Sequence, residues 1–189
     1  RGVGPGGADV FQVVGMRGSR LGANPVALEL PIGREDAFKG VIDLVLMKAL
    51  IWPDDSGKGE TWEVTDIPED MQEFADEWHS HMIEKLADCS DELMELYLEG
   101  KEIGQDLVNK VIRQATIDIA ITPVLCGTAF KNKGVQPLLD SIIDYLPSPQ
   151  DVPAIKGLNP STGAEETRSA DDSEPFAALA FKVMTDPFV

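Results

Sequence analysis

The sequence predicts an α/β chain, on three observations. Clusters of β-branched and aliphatic residues separated by turn chemistry occupy residues 26–65, amphipathic helical periodicity follows over 68–118, and a short apolar run, a polar loop and another amphipathic helix fill 121–146. With 189 residues, 43% hydrophobic and 26% charged, the chain is long enough to bury a real core. No stretch approaches 18 consecutive apolar residues and no basic-then-apolar leader pattern opens the sequence, so a spanning or conventionally secreted protein is not expected. Cys89 and Cys126 are too few to staple a secreted scaffold and lack a paired metal spacing, which points to a reducing, cytoplasmic setting.

Arg1–Gly7 carries four glycines and a proline and reads as a scar or a cut end. Val10, Phe11, Val13, Val14 and Leu21 suggest an amphipathic helix from Ala8 to Leu21, weakened by Gly15 and Gly18 at about 1 kcal/mol each relative to alanine. Strands are expected over Val26–Leu30, Phe38–Val45 and Leu46–Trp52, with Thr61–Thr65 returning as a hairpin partner in an antiparallel sheet. Pro68-Glu69-Asp70 opens a long helix, because proline and acids suit a helix N-terminus. Its inward face is Met71, Phe74, Ala75, Trp78, Met82 and Leu86. Ser90-Asp91-Glu92 starts a second helix, closed at Gly100. A third runs from about Gln105 to Asp118, with Leu107, Val108, Val111, Ile112, Ala115 and Ile119 inward. Ile121–Cys126 reads as a buried strand, and Val135, Leu138, Leu139, Ile142, Ile143 and Leu146 as the inward face of the helix beyond it. Residues 159–175 form a polar stretch without periodicity, and residues 176–185 begin an apolar strand that Val189 leaves incomplete.

Sixteen basic against 33 acidic residues give a net charge of −17, which opposes binding to nucleic acid or an anionic membrane. Residues 60–106 carry −14 of it. The acids there fall largely on one helix face, which is either a solvated face or a docking surface for a basic partner. No Gly-x-x-x-x-Gly-Lys-Ser/Thr phosphate loop occurs. Asp54-Asp55-Ser56-Gly57 reads as a turn, Cys89 as a packing residue, and Trp52, Trp62 and Trp78 as core or sheet packing. His79 and His81, two apart on a helix, point to different faces and read as exposed polar groups, not metal ligands.

Residues 121–136, ITPVLCGTAFKNKGVQ, followed by LLDSIIDYLPSP and DVPAIKG, resemble the end of the GTPase domain of bacterial elongation factor G. RLGANPV, ELPIGREDAFKGVIDLV, DIPEDM, EWH and DSEPFAALAFKVMTDPFV extend the resemblance in the same order over nearly the whole chain from Gly7. The fold it implies is the C-terminal part of a P-loop GTPase (G) domain carrying an inserted α+β subdomain, G′. The parts would be a G-domain helix in 1–24, G′ in 25–120, the last G-domain strand and helix in 121–155, a linker in 156–175 and the start of domain II in 176–189.

The resemblance implies a ribosomal translocase that binds and hydrolyses GTP, with Mg, in its intact form. Gly127, Thr128, Ala129 and Phe130 would form its last guanine-binding motif, the Ala129 N–H donating to the base carbonyl and Phe130 or Lys131 packing near the base. Glu73, Asp76, Glu77, Glu84 and Asp88 would meet the C-terminal domain of the ribosomal stalk protein L7/L12. The phosphate loop, switches and Asn-Lys-x-Asp motif precede this segment in the family and are absent here, so tight nucleotide binding or hydrolysis by this segment alone is not expected. Two other classes remain: a freestanding acidic binding module, and a related ribosome-bound GTPase such as a tetracycline-resistance ribosomal protection protein or a second elongation factor G paralogue.

Overall fold

The computed structural model describes residues 23–53, 59, 61–178 and 182. The expected helix over 8–21, the turn at 54–57 and most of the strand over 176–185 lie outside the described residues. The chain forms two compact units, residues 1–146 and 147–189. It is mixed α/β, with parallel and antiparallel sheets.

In the first unit β1 (Pro25–Ala27) pairs in parallel with β6 (Thr122–Val124), Val26 opposite Pro123. β2 (Glu29–Ile32), β3 (Gly40–Asp43), β4 (Lys48–Ile51) and β5 (Glu63–Thr65) form an antiparallel sheet in that order. The strand expected over Val26–Leu30 is therefore two strands in two sheets. The chain changes sheet at Leu28, whose N–H donates to the Val124 carbonyl at 2.9 Å while its own carbonyl accepts from the Leu44 N–H at 2.9 Å. Every residue from Pro25 to Leu30 is buried, so no alternation in the sequence marks the switch. Between β3 and β4 the Asp43 carboxylate accepts from the Val45 and Leu46 N–H groups at 2.8 and 2.9 Å, turning the chain between the two strands expected over Phe38–Val45 and Leu46–Trp52.

A 3-10 turn (Glu69–Met71) leads into α1 (Gln72–Ala87), followed by α2 (Asp91–Leu98), α3 (Gln105–Ile117) and α4 (Val135–Tyr145). Ser90 caps α2, its hydroxyl accepting from the Leu93 N–H at 3.3 Å. The main core joins Leu30, Ile42 and Leu44 to Ala75, Met82 and Leu86 of α1, Leu93 of α2 and Ile112 of α3. Each large side chain buried here contributes roughly 1.5–3 kcal/mol. Phe38, Val41, Leu50 and Trp52 form a second cluster, against which Cys126 packs. Val41 and Ile42, adjacent in β3, thus serve different clusters, as the two-residue period of a strand requires.

Helices α2 and α3 end in the same hydrogen-bond pattern with different residues. After α2 the Gly100 N–H donates to Tyr97 and the Lys101 N–H to Leu96, with Gly100 at φ +65°. After α3 the Ile119 N–H donates to Thr116 and the Ala120 N–H to Ala115, but the left-handed residue is Ile119, φ +59°. Ile119 was expected on the buried face and is instead 87% exposed, because the helix has already turned left-handed there. Its branched side chain gains no burial and carries the left-handed cost of roughly 1–2 kcal/mol. Ile119→Gly should therefore stabilise the unit by about 1 kcal/mol, read as a rise in the midpoint of urea denaturation.

Helix α4 also departs from expectation. Of its predicted inward face, Leu138, Leu139, Ile142, Ile143 and Leu146 are 42–75% exposed. The helix is held near its C-terminal end: the Tyr145 hydroxyl donates to Asn109 of α3 at 2.7 Å, and Arg113 of α3 donates to the Asp144 carbonyl at 2.8 Å. Contacts from Arg113 to the Ile143 and Leu146 carbonyls, at 3.4 and 3.3 Å, complete a cap on the C-terminal carbonyls that the helix leaves unpaired.

The second unit contains an antiparallel hairpin, β7 (Ile155–Leu158) and β8 (Glu165–Arg168), where the sequence suggested only a polar linker. The Asn159 side chain organises the turn, accepting from Ser161 and Thr162 N–H groups at 2.9 and 3.1 Å, with Gly163 left-handed at φ +70°. Composition concealed the hairpin, since six of its eight strand residues are exposed and impose no apolar alternation.

Candidate functional site

The loop after β6 is built as a closed neck with an exposed tip. Thr128 and Lys133 exchange both backbone hydrogen bonds, at 2.9 and 3.1 Å, and between them Ala129–Lys131 make one 3-10 turn. The neck closes because two glycines meet in it. A Cβ on Gly134, at φ +85°, would lie 2.9 Å from the Cys126 carbonyl oxygen and 3.0 Å from the Gly127 Cα.

The structure brings Gly127, Thr128, Ala129 and Phe130 together in this loop. Gly127, Ala129 and Phe130 are exposed, Phe130 at 98%, and Thr128 is half-buried. Among the described residues the Ala129 N–H has no acceptor. The tip can therefore present a backbone donor to a ligand carbonyl, next to a small side chain and an aromatic ring. Lys131 is turned away, its ammonium donating to the Asp36 carbonyl at 3.0 Å.

Residues that sequence reasoning did not single out lie behind the loop. Glu29 of β2 is 3% exposed, and its carboxyl group accepts the Cys126 N–H at 3.0 Å. Burial pushes the Glu29 carboxyl up to about 8; the Cys126 hydrogen bond opposes this and the Asp43 charge adds to it. Burial also raises Asp43 and the Cys126 thiol, and pushes the Tyr145 hydroxyl up to about 12. Lys133 is buried, and its ammonium is 3.5 Å from the Phe38 carbonyl. A glutamate inside the otherwise apolar run Pro25–Ile32 was the available sequence signal for Glu29.

On α1 and at its C-terminal cap all five predicted acids, Glu73, Asp76, Glu77, Glu84 and Asp88, are exposed. At about 100° per residue they share an arc of roughly 120°, opposite buried Ala75, Met82 and Leu86. Hydrogen bonds from Gln72 to Asp76 (3.0 Å) and from Tyr97 to Glu84 (2.9 Å) hold two of them in place. His81 stands beside this arc, 3.8 Å from Glu77 and 3.5 Å from Glu84. His79 does not match its expected exposure: it is half-buried, Nδ1 2.7 Å from the Leu44 carbonyl, because its side of α1 faces the β3–β4 turn. Cys89, expected to pack, is exposed. Among the described residues no group of three or more His, Cys, Asp or Glu side chains is placed to hold a metal ion, and no helix is long and apolar enough to cross a membrane.

No known family model matches the chain. The crystal structure of a protein from Thermus thermophilus is similar to it with a TM-score of 0.65 at 23% sequence identity, over 85% of this chain. This chain spans 25% of that protein's length. The likeness is one of fold.

Proposed function

We propose that this chain is a segment of a cytoplasmic translational GTPase resembling elongation factor G, carrying the loop that meets the guanine base and an acidic face that meets the ribosomal stalk. The observation that carries the reading is the parallel pair β1–β6. Two strands of three residues each, followed by a helix with an exposed apolar stripe, make an α/β unit that calls for further strands and helices to cover it. The exposed tip with its unpaired Ala129 N–H lies at the C-terminal end of β6, where α/β sheets receive ligands.

In this reading the parent binds GTP with Mg, and the groups that hold the phosphates and the metal belong to the part of the G domain preceding this segment. The segment supplies the Ala129 amide to the base carbonyl and Phe130 to its surroundings. GTP hydrolysis by the parent would drive translocation of tRNA and mRNA. The arc from Glu73 to Asp88 has the sign to attract a basic face of the stalk protein's C-terminal domain, accelerating encounter more than tightening the complex. The contact is expected to be fast, weak and salt-sensitive.

An NMR titration of the labelled chain with that stalk domain tests the reading. Shifts should cluster on residues 69–92 and fade between low and physiological salt. Charge reversal at Glu77 and Glu84 to lysine should weaken binding at least tenfold while changing stability by less than about 1 kcal/mol, since both side chains are more than half exposed. Unchanged binding by the double variant would rule out the acidic face.

A further inference from the structure

Among the described residues, four side-chain hydrogen bonds tie the loop at 126–136 to the antiparallel sheet or its connections. The Cys126 N–H donates to the Glu29 carboxyl group of β2 at 3.0 Å. The Lys131 ammonium donates to the Asp36 carbonyl, in the turn between β2 and β3, at 3.0 Å, and the Lys133 ammonium lies 3.5 Å from the Phe38 carbonyl ahead of β3. Gln136 donates to the Gly59 carbonyl, between β4 and β5, at 2.7 Å. Gly59 sits so close that a Cβ there would be 2.1 Å from the Asn132 carbonyl oxygen. On the opposite side Gly127, Ala129 and Phe130 face solvent.

Three of these four holds run from a side chain of the loop to a backbone carbonyl of the sheet or its connections. Glu29 is the exception: a side-chain acceptor, 3% exposed, joined to a residue 97 positions away. It also grips the loop at its root, one residue before the Gly127–Phe130 tip begins, so a displacement of Cys126 passes directly into the tip. Burying a carboxyl group is unfavourable unless it is hydrogen-bonded, and an apolar residue would fill the same place more cheaply.

We propose that the antiparallel insert is a brace for this loop and that Glu29 is its positioning residue, acting through the Cys126 N–H to set where the Ala129 amide points. The brace deepens the GTPase reading, in which Ala129 contacts the base, and rests on that reading only for its effect on nucleotide. Glu29 would act through Cys126 and not on the nucleotide itself.

Amide hydrogen exchange and amide shifts of the 15N-labelled 189-residue chain test the proposal without any nucleotide. In Glu29→Leu, which keeps volume and removes the acceptor, the Cys126 and Thr128 amides should exchange at least tenfold faster, while amides in α2 and at the β3–β4 pairing change less than twofold. Glu29→Gln, which keeps an acceptor oxygen, should restore the slow exchange. Should Glu29→Leu fail to fold, Lys131→Ala and Gln136→Ala, which remove two other holds, should each raise exchange at Thr128 and Asn132 selectively. Unchanged Cys126 and Thr128 amides in Glu29→Leu, or acceleration spread evenly over the chain, would overturn the brace, as would failure of Glu29→Gln to rescue. In the full reading frame containing this segment, GDP affinity should fall about tenfold in Glu29→Leu and stay within twofold in Glu29→Gln. Loss of loop protection with GDP affinity intact would overturn the positioning role. A wild-type protein that binds no GDP would instead sink the GTPase reading, leaving the exchange result to decide the brace.

Discussion

Raising the pH from 5 to 8 should cost the first unit about 4 kcal/mol of stability, and Glu29→Gln should abolish most of that slope. The Glu29 carboxyl is raised from 4.5 to about 8, chiefly by burial. Between those values the folded chain holds a proton that the unfolded chain has released, so stability falls by roughly 1.4 kcal/mol per pH unit for that one proton. The contribution is fully present below pH 4.5 and lost as the pH passes through 8. Asp43, opposite Glu29 in the β2–β3 register, is also raised and acts in the same direction. The carboxylates Asp66, Glu166 and Asp171 are lowered by their hydrogen bonds, so their contribution is lost only at acid pH, outside this window. Urea denaturation at unit pH steps measures the slope. A wild-type slope no steeper than that of Glu29→Gln would mean that Glu29 is ionised in the folded state.

Gly134→Ala should destabilise the first unit by about 2–5 kcal/mol, which comprises roughly 1–2 for the left-handed backbone and 1–3 for the contact. At φ +85° the new Cβ would press on the Cys126 carbonyl and the Gly127 Cα, both backbone, so no side chain can swing aside. Gly100→Ala is the control: also left-handed, at φ +65°, it has nothing within 4 Å of the added carbon and should cost only the backbone share, about 1–2 kcal/mol. Equal costs in the two variants would show that the neck yields without strain.

Local chemistry was legible in the sequence where a single residue decides the structure. Ser90 starts α2 and Gly100 ends it, as capping rules require, and the three- and four-residue spacing of Ala75, Met82 and Leu86 sets the buried side of α1. What the sequence did not reveal depends on partners distant in the chain. Pro25–Leu30 is buried throughout, and only β6, almost a hundred residues on, determines that β1 leaves the antiparallel sheet. Ile119 follows the helical period by spacing, yet the cap has already reversed the backbone at that residue. The stripe from Leu138 to Leu146 has the pattern of a buried face, but periodicity does not say what covers it.

The same division holds at the candidate site. Gly127 to Phe130 were reached through the resemblance of residues 121–136 to a family motif, and they lie in one loop whose Gly127, Ala129 and Phe130 are exposed. Glu29 was passed over because its partner is a backbone N–H 97 residues away, which no spacing rule encodes. The acids of α1 were readable as a face, since helical geometry alone places them.

The most direct measurement is calorimetric binding of GDP and ADP to the full reading frame containing this segment, comparing wild type with Ala129→Pro. Proline removes the Ala129 N–H and little else: residue 129 opens its 3-10 turn, and Thr128 before it is already extended at φ −124°, ψ 103°. The wild type should bind GDP and discriminate against ADP, and the proline variant should lose about 10- to 100-fold in GDP affinity, the effect of leaving a buried ligand carbonyl without its donor. No GDP binding, equal affinity for GDP and ADP, or a proline variant that binds GDP as well as the wild type would contradict the assignment of this loop to the guanine base.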